Sequence, residues 1–271
     1  MQIDRLSFTD SVQELARRAG IPLERNTRLT RNQNATEEMG LQCLREAASF
    51  YMEKIQGKEG TYASEYLQQR KVSGKMCERF QIGFSPDKWD DTLKNLTQKK
   101  IPQSVIARTG LIKSSEKSGR FYDTFRGRLM FPIKDPRGRC IGFGARSLKP
   151  GDKPKYLNSP ETAYYRKSRI LYGLHEGLNE IRKKSRIIFV EGYLDVMRLH
   201  ENGFTETVAP CGTALTTEHL KIVLRYAKTV ILLFDGDSAG KNAALKHAHL
   251  LLPQPLESYI INLPDLSLIH I

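Results

Sequence analysis

The feature that most limits the fold of this chain is the alternation of short apolar runs with amphipathic segments in its last third. Four apolar runs of strand length occupy this part of the chain, at 186–190, 207–209, 229–234 and 258–262. Three segments with helical spacing lie between them, at about 193–202, 216–227 and 239–252. Strands that alternate with helices predict a parallel sheet with right-handed crossovers.

The upstream part has a different pattern. A short helix is expected at 11–19, followed by a polar stretch without periodicity at 24–36 that is typical of a linker. A longer helix is expected to start at Thr36 and run to about Ile55, and shorter helical pieces follow near 61–70, 73–80, 87–97 and 102–108. Two strand-like runs at 128–134 and 139–146 are joined by the turn 135–138. The predicted class is α/β, with a parallel sheet and flanking helices preceded by a mixed α+β subdomain.

Charge is divided unevenly along the chain. Lys plus Arg is 43 and Asp plus Glu is 30, a formal net charge of +13. Residues 186–271 hold 7 basic and 9 acidic side chains, whereas residues 120–170 hold 13 basic and 4 acidic ones, a net of +9. A basic half beside a slightly acidic half suggests a polyanion bound by one and metal carboxylates held by the other. A solubilising basic surface explains the charge alone equally well.

Several classes of protein are disfavoured by composition. No apolar run approaches the roughly 20 residues that a membrane span needs, and the N-terminus lacks the apolar core of a signal peptide. The four cysteines are scattered, and none forms a Cys-x-x-Cys pair or lies at ligand spacing from a histidine. We therefore expect a cytoplasmic protein without a membrane partner and without a zinc site in this chain.

Two of the predicted strands end directly at acidic residues. Glu191 follows the run 186–190, and Asp235 follows the run 229–234, with Asp237 two positions further on. The carboxyl ends of parallel strands meet at one edge of a sheet, so these carboxylates are expected to converge there. Hard oxygen ligands of this kind suit Mg²⁺. The alternative is that they cap the following helices; Asp195, one helical turn after Glu191, is a candidate for support of the site or for the helix surface.

Five segments carry a resemblance to a known family. The segments Glu191–Asp195 (EGYLD) and Phe234–Gly240 (FDGDSAG) resemble the paired acidic motifs of the Toprim fold. Upstream, Tyr122–Ile133, Ile141–Arg146 and Pro154–Thr162 (PKYLNSPET) resemble the DnaG-type bacterial DNA primases. The resemblance runs in order from about residue 7 to 264, and the PKYLNSPET segment is highly specific.

The resemblance implies a function and its partners. It implies the catalytic core of a primase, a DNA-directed RNA polymerase of the primosome that makes short RNA primers by metal-dependent nucleotidyl transfer. The implied partners are a single-stranded DNA template, ribonucleoside triphosphates and the RNA primer, at the replication fork in the cytoplasm. It implies Mg²⁺ or Mn²⁺ at Glu191, Asp235 and Asp237, which would also be the catalytic residues.

Compared with the family, the chain is expected to be truncated at both ends. Residues 1–20 resemble the last helix of a missing zinc-binding domain, where alone zinc is expected, and residues 21–36 form a linker. The basic subdomain would then occupy 37–185 and a truncated Toprim subdomain 186–271. The family's third acidic motif, Asp-Pro-Asp, its closing helical domain and its helicase-binding domain are absent, so a replicative helicase is expected to bind only through the missing part. Ala145 also departs from a family pattern of Gly-Gly-Arg.

The basic segment supplies candidates for nucleic-acid binding. Arg126 and Arg128 lie two apart, so on an extended segment they would point to the same side, and Arg146 follows on the partner strand. Basic groups interleaved with aromatic ones are typical of sites that hold single strands. By the resemblance, seven side chains are template- or nucleotide-binding candidates: Arg126, Arg128, Arg146, Lys155, Tyr156, Asn158 and Lys167.

Two rival functions remain open. The first is another Toprim enzyme, a nuclease or a topoisomerase, although a topoisomerase needs a strand-cleaving tyrosine domain for which this chain has little room. The second is a nucleic-acid-binding fragment that is inactive because the last acidic motif is missing. A primer-synthesis assay separates these functions from a primase core. By the resemblance, the missing third motif would add carboxylates to the metal cluster, so this chain is expected to bind single-stranded DNA and metal–nucleotide but to make primers very weakly or not at all.

Overall fold

The computed structural model describes residues 27–234 and 238–262. The chain divides into two compact units, one up to Glu38 and one from Met39 onward. Within the described ranges, no helix combines the length and the apolar character that a membrane crossing requires.

The basic half combines helices with a small antiparallel sheet. Its helices are α1 (Thr27–Gln56), α2 (Thr61–Gln69), α3 (Gly74–Phe80), α4 (Asp91–Gln98) and α5 (Gln103–Arg108). Its strands are β1 (Gly83–Ser85), β2 (Ile112–Ser114), β3 (Phe121–Asp123), β4 (Arg128–Lys134), β5 (Cys140–Ser147) and β6 (Tyr156–Asn158). The sheet has the order β1-β4-β5-β6, and β2 pairs separately with β3. The predicted hairpin between 128 and 146 is confirmed as β4 and β5.

The irregular structure predicted for the linker at 21–36 is wrong from Thr27 onward, where α1 already begins. The polar composition of 27–36 indicated a loop, but this stretch contains neither glycine nor proline. Extending an existing helix costs far less than nucleating one, so polar residues without a breaker continue the helix. The short helix predicted at 11–19 lies outside the described residues.

The second half is the predicted parallel sheet with helices. Its elements are β7 (Leu171–Tyr172), α6 (Leu174–Lys184), β8 (Arg186–Phe189), α7 (Tyr193–Glu201), β9 (Thr207–Pro210), α8 (Thr217–Tyr226), β10 (Thr229–Phe234), α9 (Ser238–Leu251) and β11 (Glu257–Asn262). The strand order is β11-β10-β8-β9-β7, and neighbours are parallel except for the pair of β7 with β9. Strand β7 was not predicted, because two residues are too few to show a period.

The two halves share a hydrophobic core. Phe131 and Ile133 of β4 lie in the same buried cluster as Tyr193 and Val196 of α7. A buried ion pair, Lys134 to Glu176 at 3.0 Å, adds a polar contact between β4 and α6. The boundary at residue 185 therefore separates two topological halves of one compact body.

The small sheet is buried on both faces. Its β4 residues alternate between two clusters, with Phe131 in the cluster shared with α7 and Met130 in a second cluster that includes Leu44 and Tyr51 of α1. A third cluster, with Phe189 and Leu232, fills the parallel sheet and its helices. Period-two alternation thus places each neighbouring residue of β4 in a different core.

Candidate active site and nucleic-acid interface

The strands that carry the acidic motifs are neighbours. Strand β8 pairs with β10 in parallel, with Phe189 opposite Leu232, so the two strands end at the same edge of the sheet. Glu191 is exposed at this edge, two residues beyond Phe189. Asp235 and Asp237 lie outside the described residues, although β10 is described up to Phe234. The adjacency of the strands is confirmed, whereas the three-carboxylate site stays a prediction; the described part of the chain contains no cluster of three metal-ligating side chains.

Asp195 stabilises the start of the helix that follows Glu191. Its Oδ2 accepts a hydrogen bond from the backbone N–H of Gly192 at 3.0 Å. A carboxylate in the first turn also interacts favourably with the positive end of the helix dipole. This contact gives Asp195 a capping role that fixes the segment carrying Glu191, while its support of a metal ion stays a prediction.

Tyr193 joins the sheet edge to the basic half. Its ring stacks on Phe131 at a centroid distance of 5.1 Å, and its hydroxyl donates to Oδ1 of Asn158 at 2.7 Å. The close approach requires Gly144, where an added Cβ would lie 2.4 Å from the Tyr193 ring. Ala145, which departs from the family pattern, is buried in the second cluster with Met130. Gly144 is therefore the position at which a glycine is needed.

Asn158 is held from both sides. Its Nδ2 donates to the carbonyl of Cys211 at 2.9 Å, while its Oδ1 accepts from Tyr193. Gly212 has a φ of 70°, and an added Cβ there would lie 2.6 Å from Asn158 Nδ2. The predicted ligand contact of Asn158 stays a prediction. In this structure its side chain links β6 to the loop after β9 and to the start of α7.

Arg146 lies in a cluster of aromatic rings. Its guanidinium is 4.5 Å from the ring centroid of Tyr66 and 5.5 Å from that of Tyr156. A second guanidinium, that of Arg70, lies 5.3 Å from the ring centroid of the same Tyr66. The Arg146 side chain is buried, and its Nε has no hydrogen-bond partner within the described residues. Burial raises the pKa of Tyr156 while the charge of Arg146 opposes the shift, so its phenol stays neutral.

This cluster is assembled differently from the pattern read in the sequence. The sequence suggested basic and aromatic residues interleaved within 155–167. The structure instead combines Tyr66 and Arg70 from the end of α2 with Arg146 of β5 and Tyr156 of β6. Arg70 was missed because nothing in its neighbourhood on the chain separates it from an ordinary helix-terminal arginine.

A second cationic and aromatic group surrounds Arg126. Its guanidinium is 4.4 Å from the ring centroid of Trp89 and 5.4 Å from that of Tyr122, and its Nη1 donates to the carbonyl of Asp123 at 2.7 Å. Trp89 is 68% exposed, so most of its ring surface is free to contact a ligand. Sequence reasoning missed Trp89, because it placed this residue in a helix at 87–97, whereas the structure has it between β1 and α4. The available signal was that it is the single tryptophan of the chain, in a polar stretch.

Arg128 has partners different from those of Arg126. Its Nη1 donates to the carbonyl of Pro154 at 2.8 Å, and its Nη2 pairs with Oδ2 of Asp152 at 3.1 Å. The prediction that Arg126 and Arg128 share one extended segment is wrong, because β4 begins at Arg128 and Gly127 has a φ of 60°. Arg128 is buried and holds the loop that leads to β6.

The backbones of the two candidate lysines lie in different local structures. Lys155 is exposed, and its carbonyl accepts from the N–H of Ser147 at 2.9 Å. Lys167 begins a 3-10 turn (Lys167–Arg169), and its N–H donates to Oε1 of Glu161 at 3.0 Å. Burial raises the pKa of the Cys211 thiol to about 12, with the charge of Lys167 among the opposing influences.

Comparison with known proteins gives the family. Residues 50–178 match the model of the DNA primase catalytic core, N-terminal domain, and residues 185–262 match the Toprim domain. A DNA primase of Pseudomonas putida is 41% identical over 268 residues, which is 98% of this chain and 39% of that protein. The Escherichia coli K12 DNA primase is 38% identical over 255 residues, 93% of this chain and 44% of that protein.

Solved structures agree. A DnaG primase catalytic domain bound to ssDNA is 36% identical with a TM-score of 0.79, covering 88% of this chain and 75% of that one. The RNA polymerase domain of Mycobacterium tuberculosis DnaG is 34% identical with a TM-score of 0.80, covering 85% and 77%. This chain belongs to the DnaG primase family.

Membership of the DnaG family confirms the fold expected from the acidic motifs. The Toprim match begins at residue 185, one residue before β8, and it extends to the end of β11. The chain spans 39% of the length of the Pseudomonas putida relative. The residue roles within this DnaG-type site and the subdomain bounds 1–20, 21–36, 37–185 and 186–271 stay predictions.

Proposed function

We propose that this chain is the catalytic core of a bacterial DNA primase, which synthesises short RNA primers on single-stranded DNA from ribonucleoside triphosphates. The observation that carries the proposal is a convergence at one sheet edge. Strand β8 leads to Glu191 and its neighbour β10 leads to Asp235. The bond between Tyr193 and Asn158 joins the basic half to that edge.

The relatives support this activity. Matched proteins of Pseudomonas putida and Escherichia coli are DNA primases, and one similar structure is a DnaG catalytic domain bound to ssDNA. The match to the N-terminal domain of the primase catalytic core over 50–178 separates this chain from nucleases and topoisomerases that share only the Toprim domain.

Two surfaces of the basic half would hold nucleic acid and triphosphate. The exposed ring of Trp89, with the Arg126 guanidinium over it, offers a stacking surface beside a cation. Stacking of a base on such a ring contributes roughly 1–3 kcal/mol. Arg146 lies between two aromatic rings, and a guanidinium withdrawn from water attracts phosphate more strongly than a solvated one.

The acidic edge would hold the metal. Glu191 presents a carboxylate at the end of β8, and Asp235 and Asp237 would add two more, a donor set that suits Mg²⁺ or Mn²⁺. Bound metal would neutralise charge on the triphosphate and the leaving pyrophosphate. The residues of this chain would mainly position the 3′-hydroxyl and the triphosphate for in-line transfer, because phosphoryl transfer leaves little covalent chemistry to the protein.

The test measures primer synthesis and template binding on the same variants. A single-stranded DNA template and labelled ribonucleoside triphosphates are supplied with Mg²⁺ and, separately, with Mn²⁺. We expect Glu191→Gln to abolish RNA synthesis while single-stranded DNA binding changes less than twofold, because the carboxylate serves the metal and not the template. Glu53→Gln is the matched control, since Glu53 is an exposed carboxylate of α1.

Two results would contradict the proposal. RNA synthesis by Glu191→Gln at the wild-type rate would remove Glu191 from the metal site. The second result would be a folded wild-type chain, shown by a cooperative thermal melt, that binds template but makes no RNA product with either metal. It would favour the alternative of a nucleic-acid-binding fragment.

A further inference from the structure

We propose that His219 is a positioning residue for Lys167. The first turn of α8 holds the backbone of the turn Lys167–Arg169, so that the Lys167 ammonium meets the phosphates of a ligand at the carboxyl edge of the parallel sheet. This inference rests on the proposed function, in which Lys167 binds template or nucleotide phosphate.

His219 uses both ring nitrogens. Its side chain is fully buried, and its Nε2 lies 2.9 Å from the carbonyl oxygen of Lys167 and 3.1 Å from that of Ile170. Carbonyl oxygens only accept, so Nε2 carries the proton. Its Nδ1 accepts from the backbone N–H of Thr216 at 3.2 Å. The imidazole is therefore a neutral bridge with donor and acceptor both engaged.

The same turn of α8 makes further contacts with this segment. Thr216 Oγ1 donates to the carbonyl of Ser168 at 2.7 Å, and Glu218 Oε2 lies 3.3 Å from Nε of Arg169. The carbonyls of residues 167, 168 and 170 are thus all bound by two side chains at the start of one helix. On its other side, the Lys167 N–H is bound by Glu161.

These contacts exceed what the helix cap needs. Thr216 caps α8 by accepting from the His219 N–H at 3.2 Å, and His219 Nδ1 completes the cap by binding the Thr216 N–H. A shorter side chain that only accepts from Thr216 would complete the cap equally well. The Nε2 bonds to residues 167 and 170 serve the turn that carries Lys167 and not the helix.

The turn lies next to the proposed active edge. The loop from Cys211 to Thr216 follows β9, which is the neighbour of β8, and Val190 N–H donates to the carbonyl of Val208 at 3.0 Å. The Cys211 carbonyl binds Asn158, whose Oδ1 binds Tyr193 two residues after Glu191. His219 thus fixes Lys167 against the same loop that contacts the start of α7.

Two substitutions separate the helix-capping bond of His219 from its bonds to the carbonyls of Lys167 and Ile170. In His219→Asn the short amide can still accept from the Thr216 N–H, but it does not reach the carbonyls of Lys167 and Ile170. In His219→Gln the amide nitrogen can occupy the place of Nε2 and donate to those carbonyls. A purely structural role predicts that both variants differ from wild type only in melting temperature.

The readouts are the Kd of a fluorescent single-stranded oligonucleotide as a function of salt, and the KM of a ribonucleoside triphosphate in primer synthesis. Loss of one charge-assisted phosphate contact in Lys167→Ala should weaken binding of the ligand that Lys167 meets by about tenfold. We expect His219→Asn to reproduce most of that loss of binding, with kcat changed much less. We expect His219→Gln to bind the ligand nearly as tightly as the wild type. The oligonucleotide and the triphosphate distinguish the two sources of phosphate. Lys183→Ala, on the exposed face of α6, is the control for removing a lysine.

A double-mutant cycle decides the matter. If His219 acts through Lys167, adding His219→Asn to Lys167→Ala produces no further loss. Additive losses, or a His219→Asn variant with unchanged Kd and KM at a lowered melting temperature, would overturn the positioning role. A Lys167→Ala variant with unchanged Kd and KM would overturn it as well, and would do so even if wild-type primer synthesis confirmed the proposed function.

Discussion

Arg126 and Arg128 lie two residues apart, yet the structure gives them different surroundings, and the consequence can be measured. Arg128 is buried, with its guanidinium bonded to Pro154 and Asp152. Arg126 is half-buried beside the exposed Trp89. We expect Arg128→Ala to act mainly on stability, and Arg126→Ala to act mainly on the binding of single-stranded DNA.

The magnitude for Arg128→Ala follows from the two bonds that are lost. The bond to the Pro154 carbonyl at 2.8 Å is an ordinary hydrogen bond, and the pair with Asp152 at 3.1 Å is weakened by solvent because that side chain is 37% exposed. Together they contribute about 2 kcal/mol to the free energy of unfolding. For a domain of this size that loss lowers the melting temperature by about 4–8 °C.

Compared with Arg128→Ala, the variant Arg126→Ala is expected to lose less free energy of unfolding and more affinity for single-stranded DNA. It removes one hydrogen bond and two partly exposed cation–π contacts, about 1–2 kcal/mol together. If the guanidinium meets a phosphate, its removal also flattens the slope of log K against log salt by about 0.7, the contribution of one contact on a single strand. The slope is unaffected by a small loss of global stability, so it separates the two roles.

The assay is fluorescence anisotropy of a labelled oligonucleotide over a range of salt, with thermal melts of the same samples. Arg128→Lys is the matched control, since it keeps the charge but loses the two-pronged geometry. We expect Arg128→Ala to keep the wild-type slope at temperatures well below its melting point. A flattened slope at unchanged melting temperature for Arg128→Ala, or an unchanged slope for Arg126→Ala, would refute this assignment.

Two further predictions concern buried positions. Burial lowers the pKa of His200 to about 4, so the folded state holds it neutral; the stabilisation is present above the unfolded pKa near 6.5 and falls by up to about 3 kcal/mol as pH drops to 4. Urea unfolding at several pH values should show a weaker acid dependence in His200→Gln but not in the exposed control His249→Gln, and equal dependence would contradict the assignment. Gly144→Ala places a Cβ 2.4 Å from the Tyr193 ring and should lower the free energy of unfolding by about 1–3 kcal/mol. Thermal melts of this variant are compared with those of Ala145→Ser, whose side chain lies on the opposite face. A wild-type melting temperature for Gly144→Ala would show that Tyr193 can move freely.

The parallel sheet and its acidic edge were predictable because they depend on local patterns. An apolar run such as 229–234 has the length and the β-branched residues of a buried strand, and helical segments on both sides favour a parallel neighbour. The position of Glu191 at the carboxyl edge follows directly from the end of β8. Residues that directly follow a strand inherit their place from it, so these candidates needed no knowledge of distant contacts.

The start of α1 shows where local reading fails even for secondary structure. Residues 27–36 have no apolar periodicity, yet they are helical in the structure. Their conformation continues a helix whose apolar face lies further along, where Leu44 and Tyr51 are buried. Periodicity reports burial of an apolar face, so a stretch of mainly polar residues gives no such signal even where its backbone is helical.

The two groups of cationic and aromatic side chains, around Arg146 and around Arg126, could not be predicted from the sequence because their members come from separate elements. Arg146 meets Tyr66 across 80 positions, and Arg126 meets Trp89 across 37. A lone arginine in the sequence is equally compatible with a solvated surface, a buried strut such as Arg128 or a ligand contact. The sequence alone determined the β4–β5 hairpin, the four parallel strands of the last third and which carboxylates follow two of them. Only the tertiary structure decided which charged groups are bonded to protein groups and which lie beside exposed rings, because that depends on packing between residues far apart in the chain.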